Sequence, residues 1–238
     1  MLKEPWKRST RAGAVGRPRE GGLSPPPPGP GVSPRSSHGP PAQSRLSPRH
    51  SNGLEQFFAY IQGERGLTIL DLSGASQSNI GFITGLGHKL YSEDFLQSLD
   101  AAFGDGDFFA NQCAPQRIEG FLQQSLNFPE GHFDGALVWD VLEHLAPPLL
   151  KATVDRFCHI LKPRSYLLAI FHAEERAELV STYSYRIADA RTLLLSLRSM
   201  RKPAQLFNNR AVERLFQRFE SVKFFLTRDH LREVIVKR

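Results

Sequence analysis

The chain has 238 residues, 40 % of them hydrophobic, with 30 lysines and arginines against 24 acids and a net charge of +6. That length holds one ordinary domain plus extra segments, with enough apolar residues for a core. The charge is unevenly placed: residues 1–50 carry 9 of the 30 bases, 2 of the 24 acids and 11 of the 17 prolines, so this stretch is +7 and the rest is −1. A body so close to neutral gives no specific nucleic-acid signal, although the whole chain has a pI near 9.5.

The two cysteines, Cys113 and Cys158, are too few for a disulfide framework and have no metal-ligand spacing. They are expected to be buried structural thiols in a reducing compartment, with no metal site. No window approaches 18 consecutive apolar residues, and the first 30 residues have no secretory apolar core. A soluble, cytoplasmic protein without a membrane span is expected.

Residues 1–50 are expected to form a disordered tail rich in Pro and Arg, with a four-proline run at Pro25 to Pro28 and little to offset the entropy of ordering. An organellar transit peptide, a polybasic or proline-rich ligand arm, and a start codon placed too far upstream are the competing readings. From residue 51 to 238 the pattern becomes that of one domain.

Leu54, Phe57, Phe58 and Ile61 fall at i, i+3, i+4, i+7, which predicts an amphipathic helix over 53–63. LTILDL (67–72) reads as a strand, SQSNIGFITGLG (76–87) as a helix, HKLYSED (88–94) as a strand and FLQSLDAAF (95–103) as a helix. A looser stretch leads to IEGFLQQ (118–124), read as the third strand; FDGALVWD (133–140) is the fourth, LLKATVDRFCHIL (149–161) a helix and SYLLAIFH (165–172) the fifth strand. Alternating strands and helices predict a doubly wound, mostly parallel α/β sheet of Rossmann-like type. Residues 173–206 are longer than a usual connection. Tyr183, Tyr185 and Ile187 alternate as in a strand, suggesting a small β-lid on the ligand side with Arg186, Arg191, Arg198, Arg201 and Lys202 around it. A helix at 211–219 and two closely spaced, necessarily antiparallel strands end the chain.

Ligands of such sheets bind beyond the carboxyl ends of the strands, at the point where the strand order reverses. The first strand ends in Asp71-Leu72-Ser73-Gly74-Ala75-Ser76-Gln77-Ser78-Asn79, small residues entering a helix, which lets backbone N–H groups approach a ligand. Glu93 and Asp94, about 20 residues on, suit a ribose diol. No G-x-G-x-x-G, phosphate-binding loop or G-x-S-x-G elbow occurs, which disfavours dinucleotide, nucleotide-hydrolysing and α/β-hydrolase chemistry. An adenosine ligand without a pyrophosphate remains.

ILDLSGASQSNIGFITGLGHKLYSED, then FPEGHFDGALVWDVLEHL and ILKPRSYLLAIFH, resembles the class I S-adenosylmethionine-dependent methyltransferases, in particular the methyltransferase type 11 group, over about residues 66–172. The resemblance implies a seven-stranded sheet with a C-terminal antiparallel strand, S-adenosylmethionine as cofactor and an unidentified methyl acceptor. It also implies that Asp71, Ser73, Gly74, Ala75, Ser76 and Asn79 surround the amino-acid part of the cofactor and that Glu93 or Asp94 takes the ribose. Ser125 and Leu126 would line the adenine edge and Trp139 and Asp140 the floor near the methyl group. His144 or His172 would serve as base. The first loop departs from the family's Asp-x-Gly-x-Gly-x-Gly, reading Asp71-x-Ser73-x-Ala75-x-Gln77 and keeping only Gly74. That departure leaves open a second reading, a non-catalytic Rossmann-like interaction or regulatory domain.

Overall fold

In the computed structural model, residues 46–227 and 230–238 are described; the expected tail therefore lies almost wholly outside the described residues. Two sheets are present. The larger is built from β2 (Thr68–Asp71), β3 (Lys89–Ser92), β4 (Phe133–Trp139), β5 (Leu161–His172), β8 (Ser221–Leu226) and β9 (Leu231–Lys237), in the order β3-β2-β4-β5-β9-β8. β3, β2, β4 and β5 are parallel, while β9 is antiparallel to both β5 and β8. This is the Rossmann-like α/β arrangement expected, with six strands in place of seven.

The missing strand has a physical cause. The stretch read as the third strand folds as helix α5 (Pro115–Ser125), with Pro115 in its first turn and Ile118, Phe121, Leu122 and Ser125 buried along one face. Buried positions spaced by three and four residues suit a helix, and a strand would have exposed half of them. Ser125 and Leu126, drawn as the adenine edge on the premise of a strand end, instead close this helix, and Leu126 lies in the core with Leu72 and Val138.

The second sheet is also a correction to a single-sheet reading. β6 (Val180–Asp189) and β7 (Thr192–Arg201) form an antiparallel hairpin, and β1 (Ser47–His50) adds to the outer edge of β7. Two clusters of apolar side chains cover the larger sheet, and the second of them fixes the hairpin. One joins α3 (Phe95–Phe103), α5, α6 (Pro147–Ile160) and α7 (Asn209–Leu215). The other joins α1 (Asn52–Ile61) and α2 (Gln77–Gly85) with Tyr185, Ile187, Leu193 and Leu195 of the hairpin. The hairpin is thus part of the cover of the second face.

Two close approaches lock α1 to the sheet. Gly135 of β4 leaves no room for a side chain, since a Cβ there would sit 2.8 Å from the Phe57 ring. Glu233, fully buried on β9, accepts from the Gly53 N–H at 2.6 Å and pairs with Arg49 of β1. Of the cysteines, Cys113 is exposed and Cys158 half-buried, so the expectation of two buried thiols fails at Cys113.

Candidate cofactor and catalytic site

The chain leaves β2 for the edge strand β3 and returns to β4 on the other side of β2, so the strand order reverses between β2 and β4. Asp71 ends β2 there. Its buried carboxylate accepts from Ser73 N (3.0 Å), Ser73 Oγ (2.7 Å) and Trp139 Nε1 (2.7 Å) on one oxygen and from Asn79 Nδ2 (2.8 Å) on the other. Burial pushes its pKa up, opposed by these hydrogen bonds. Asp71 is a strut joining the ends of β2 and β4.

The loop after β2 keeps one left-handed residue, Gly74, at φ +88°. Its N–H donates to the Glu93 carbonyl at 3.1 Å, and a Cβ would lie 3.2 Å from Asp94 Cβ, so only glycine fits without strain or displacement. Ser73 bridges to Asp94, and Ser76 caps α2 by accepting from Asn79 N. Loop and acid are therefore side by side, as the sequence reading required. The two candidate acids differ: Glu93 accepts from Ser98 Oγ, while Asp94 caps α3 and forms a two-pronged pair with Arg198 at 2.8 and 2.9 Å.

At the end of β4, Trp139 is held at φ +58° and its ring stacks on Tyr185 of β6, centroids 4.6 Å apart and 11° from parallel. Asp140 follows, buried, and accepts from Tyr183 N at 3.2 Å. Burial lifts its pKa to about 6. Asn79 reaches the same hairpin, donating to the Tyr185 carbonyl at 3.1 Å and accepting from Ile187 N at 2.8 Å.

The two histidines sit in different chemistry. His172, at the end of β5, places Nδ1 2.6 Å from Glu143 Oε2 and Nε2 3.1 Å from the Ser181 carbonyl, and its N–H donates to the same Glu143 carboxylate. Both ring nitrogens face acceptors, so the imidazolium fits both contacts. Burial works against that charge, but the Glu143 hydrogen bond and charge, helped by Asp140 and the Ser181 carbonyl, outweigh it and raise the pKa. His144 is wholly buried, and neither ring nitrogen has a hydrogen-bond partner. Its pKa falls to about 3 through burial and the charges of Arg201 and His172, which keeps the ring neutral.

Sequence reasoning missed the role of Glu143 and the part Tyr185 plays on Trp139. Glu143 and His172 are 29 positions apart, on a 3₁₀ turn (Leu142–His144) and a strand end, and no local spacing links them. Two of the four arginines expected around the lid have partners on the domain itself, Arg198 on Asp94 and Arg201 on Asp100.

Against this geometry, residues 51–220 match the family model described as a methyltransferase domain. The chain belongs to that family. The resemblance to class I S-adenosylmethionine-dependent methyltransferases is thereby borne out. Among solved structures, a 1,6-didemethyltoxoflavin N1-methyltransferase of Burkholderia thailandensis, with bound 1,6-didemethyltoxoflavin and S-adenosylhomocysteine, is 13 % identical over 78 % of this chain and 76 % of its own, with a TM-score of 0.43. An S-adenosylmethionine-dependent methyltransferase of Archaeoglobus fulgidus is 13 % identical over 78 % and 91 %, TM-score 0.46. A glycopeptide N-methyltransferase complexed with S-adenosylmethionine gives 13 % over 78 % and 94 %, TM-score 0.43. No curated protein matches the chain. Among the described residues of this methyltransferase domain, no helix is long and apolar enough to cross a membrane and no cluster of His, Cys, Asp and Glu suits a metal ion.

Proposed function

We propose that the chain transfers a methyl group from S-adenosylmethionine to an oxygen or nitrogen acceptor at the carboxyl ends of β2, β4 and β5. One observation carries the reading: left-handed Gly74 is seated against Asp94 at the ends of two adjacent parallel strands, a cradle that a single Cβ would fill. This backbone approach beside a carboxylate suits the amino-acid and ribose parts of that cofactor. Bound there, the cofactor supplies an activated methyl carbon, and the protein's task is to position the acceptor and exclude water.

In this reading the N–H groups of Ala75 and Ser76 face the amino-acid part, those of Ser73 and Gly74 being held by Asp71 and Glu93; Asp94 takes the ribose hydroxyls, and Trp139 and Asp140 form the floor of the methyl end. Glu93, turned to Ser98, supports the strand end. His172 is the group that takes a proton from the acceptor, once its Nε2 has left the Ser181 carbonyl and lost its own proton to water, and Glu143 fixes its orientation through Nδ1. His144 stays neutral and enclosed, and serves as packing. Residues 51–238 act as one domain with 173–206 as a segment on the acceptor side, and the chain works as a cytoplasmic enzyme.

Calorimetric titration with S-adenosylhomocysteine tests this. Asp94→Ala is expected to weaken binding tenfold or more, about 1.4 kcal/mol, and Glu93→Ala by much less; equal affinity for both variants and the wild type contradicts the ribose assignment. A second reading, a Rossmann-like interaction domain without catalysis, is favoured by the Tyr185 ring lying on Trp139 at the switch point. It requires that no variant of the hairpin binds the cofactor.

A further inference from the structure

Of the residues drawn as cofactor ligands, Asn79, Asp94, Trp139 and Asp140 each give a group to the β6–β7 hairpin. Asp94 holds Arg198 through both oxygens. Asn79 holds the backbone of Tyr185 and Ile187, and its neighbour Ser78 donates to the Ile187 carbonyl at 2.5 Å. Asp140 accepts from Tyr183 N, and Trp139 carries the Tyr185 ring on its face. His172, the candidate proton acceptor, points Nε2 at the Ser181 carbonyl. The contacts run along β6 from Ser181 to Ile187, with Arg198 reaching across from β7.

We propose that the hairpin and the cofactor are alternative occupants of the crevice between the ends of β2 and β4, so that the hairpin is an autoinhibitory gate that must leave Trp139 and Asp94 before cofactor enters. This rests on the reading that the crevice takes S-adenosylmethionine. Three features suit a gate. Its contacts with the crevice are largely hydrogen bonds and an ion pair, groups that water or a polar ligand re-satisfies on opening. The ion pair is the same carboxylate a ribose diol needs, so ligand and gate compete for one group. Its roots are fixed independently of the crevice: Ala173 N donates to the His230 carbonyl at 2.7 Å, and Ala204 N to the Glu143 carbonyl at 2.8 Å. The proposal is that the stretch between those roots shifts while the larger sheet stays whole.

A ligand that merely fills a preformed site slows amide exchange around it. A ligand that displaces the gate speeds exchange of the amides the gate had buried. The test is hydrogen–deuterium exchange of the full chain with and without S-adenosylhomocysteine, with calorimetric affinities for the wild type and for Arg198→Gln. Arg198→Gln removes the Asp94 pair from a partly exposed position and leaves the core intact; Tyr185→Phe keeps the ring and serves as the folded control. The proposal expects about two- to fivefold tighter binding by Arg198→Gln, as for loss of a partly exposed ion pair, and faster exchange at the Tyr183 and Ile187 amides on ligand addition. Binding that slows exchange at those amides, or equal affinity in both proteins, overturns the gate and leaves the cofactor reading standing. Absence of binding by wild type and Arg198→Gln alike, with both proteins folded, overturns both.

Discussion

The two faces of the larger sheet are closed by different means. On one, α3, α5, α6 and α7 meet the strands through apolar side chains such as Phe95, Phe121, Phe133, Phe157 and Phe216. On the other, α1 and α2 cover part of the sheet and the hairpin closes the carboxyl end, combining Tyr185, Ile187, Leu193 and Leu195 with hydrogen bonds to Asn79, Asp140 and His172. The first kind of cover follows from the helical spacing of apolar residues and has one tight arrangement. The second kind is tied by polar groups that have alternative partners, which is what a cover over a functional crevice needs. Lifting the hairpin whole exposes four apolar side chains at roughly 1.5–3 kcal/mol each. That would consume the roughly 8 kcal/mol a micromolar ligand returns, so the proposed opening frees Trp139 and Asp94 while Leu193 and Leu195 stay packed.

Substitutions sharpen the contrast. Phe157→Ala, under the helix-covered face, should cost about 3–5 kcal/mol in chemical denaturation while leaving the affinity for S-adenosylhomocysteine near that of the wild type. Glu143→Ala should be nearly as severe, about 3 kcal/mol or more, because it strips the buried His172 of its counter-charge. The same change should alter the pH profile of stability, which Phe157→Ala should not. Gly74→Ala should cost about 1 kcal/mol for its left-handed backbone and weaken cofactor binding through the push on Asp94. Arg198→Gln should cost least, under about 1 kcal/mol for a partly exposed pair, and yet change affinity most favourably.

The pH dependence follows from two groups under the hairpin. His172 has a raised pKa in the folded state, so its contribution to stability is complete below about pH 6.5 and is lost as pH rises through the raised value. Asp140, lifted from 3.8 to about 6, loses its contribution across that same interval as pH rises. Both act in one direction, while His144, with its pKa at about 3, adds stability as pH rises to about 6.5; thermal melting should therefore show stability falling with pH above about pH 6.5, where His172 titrates. A His172→Gln variant that keeps the full slope above pH 6 contradicts this assignment.

The sequence showed α1 and the closing strand pair well. Leu54, Phe57, Phe58 and Ile61 are all buried on α1, and the pairing of the last two strands follows from their short connection. It failed at α5, where a seven-residue window of mixed apolar and polar residues was too short to separate strand from helix and Pro115 lay just outside it. At the candidate site, adjacency along the chain was legible: the loop beginning at Asp71 and the acid at Asp94 come together as expected. The contacts of Asn79 with Ile187, Trp139 with Tyr185 and Glu143 with His172 were not, because each joins residues from different elements whose meeting is decided by the placement of the second sheet.

Side-by-side calorimetric titration of wild type and Arg198→Gln with S-adenosylhomocysteine is the most direct test of the central claim that this methyltransferase domain holds its cofactor crevice closed with its own hairpin. The expected result is saturable binding of one ligand per chain in both proteins, about two- to fivefold tighter in the variant. No heat of binding at millimolar ligand in either folded protein contradicts it.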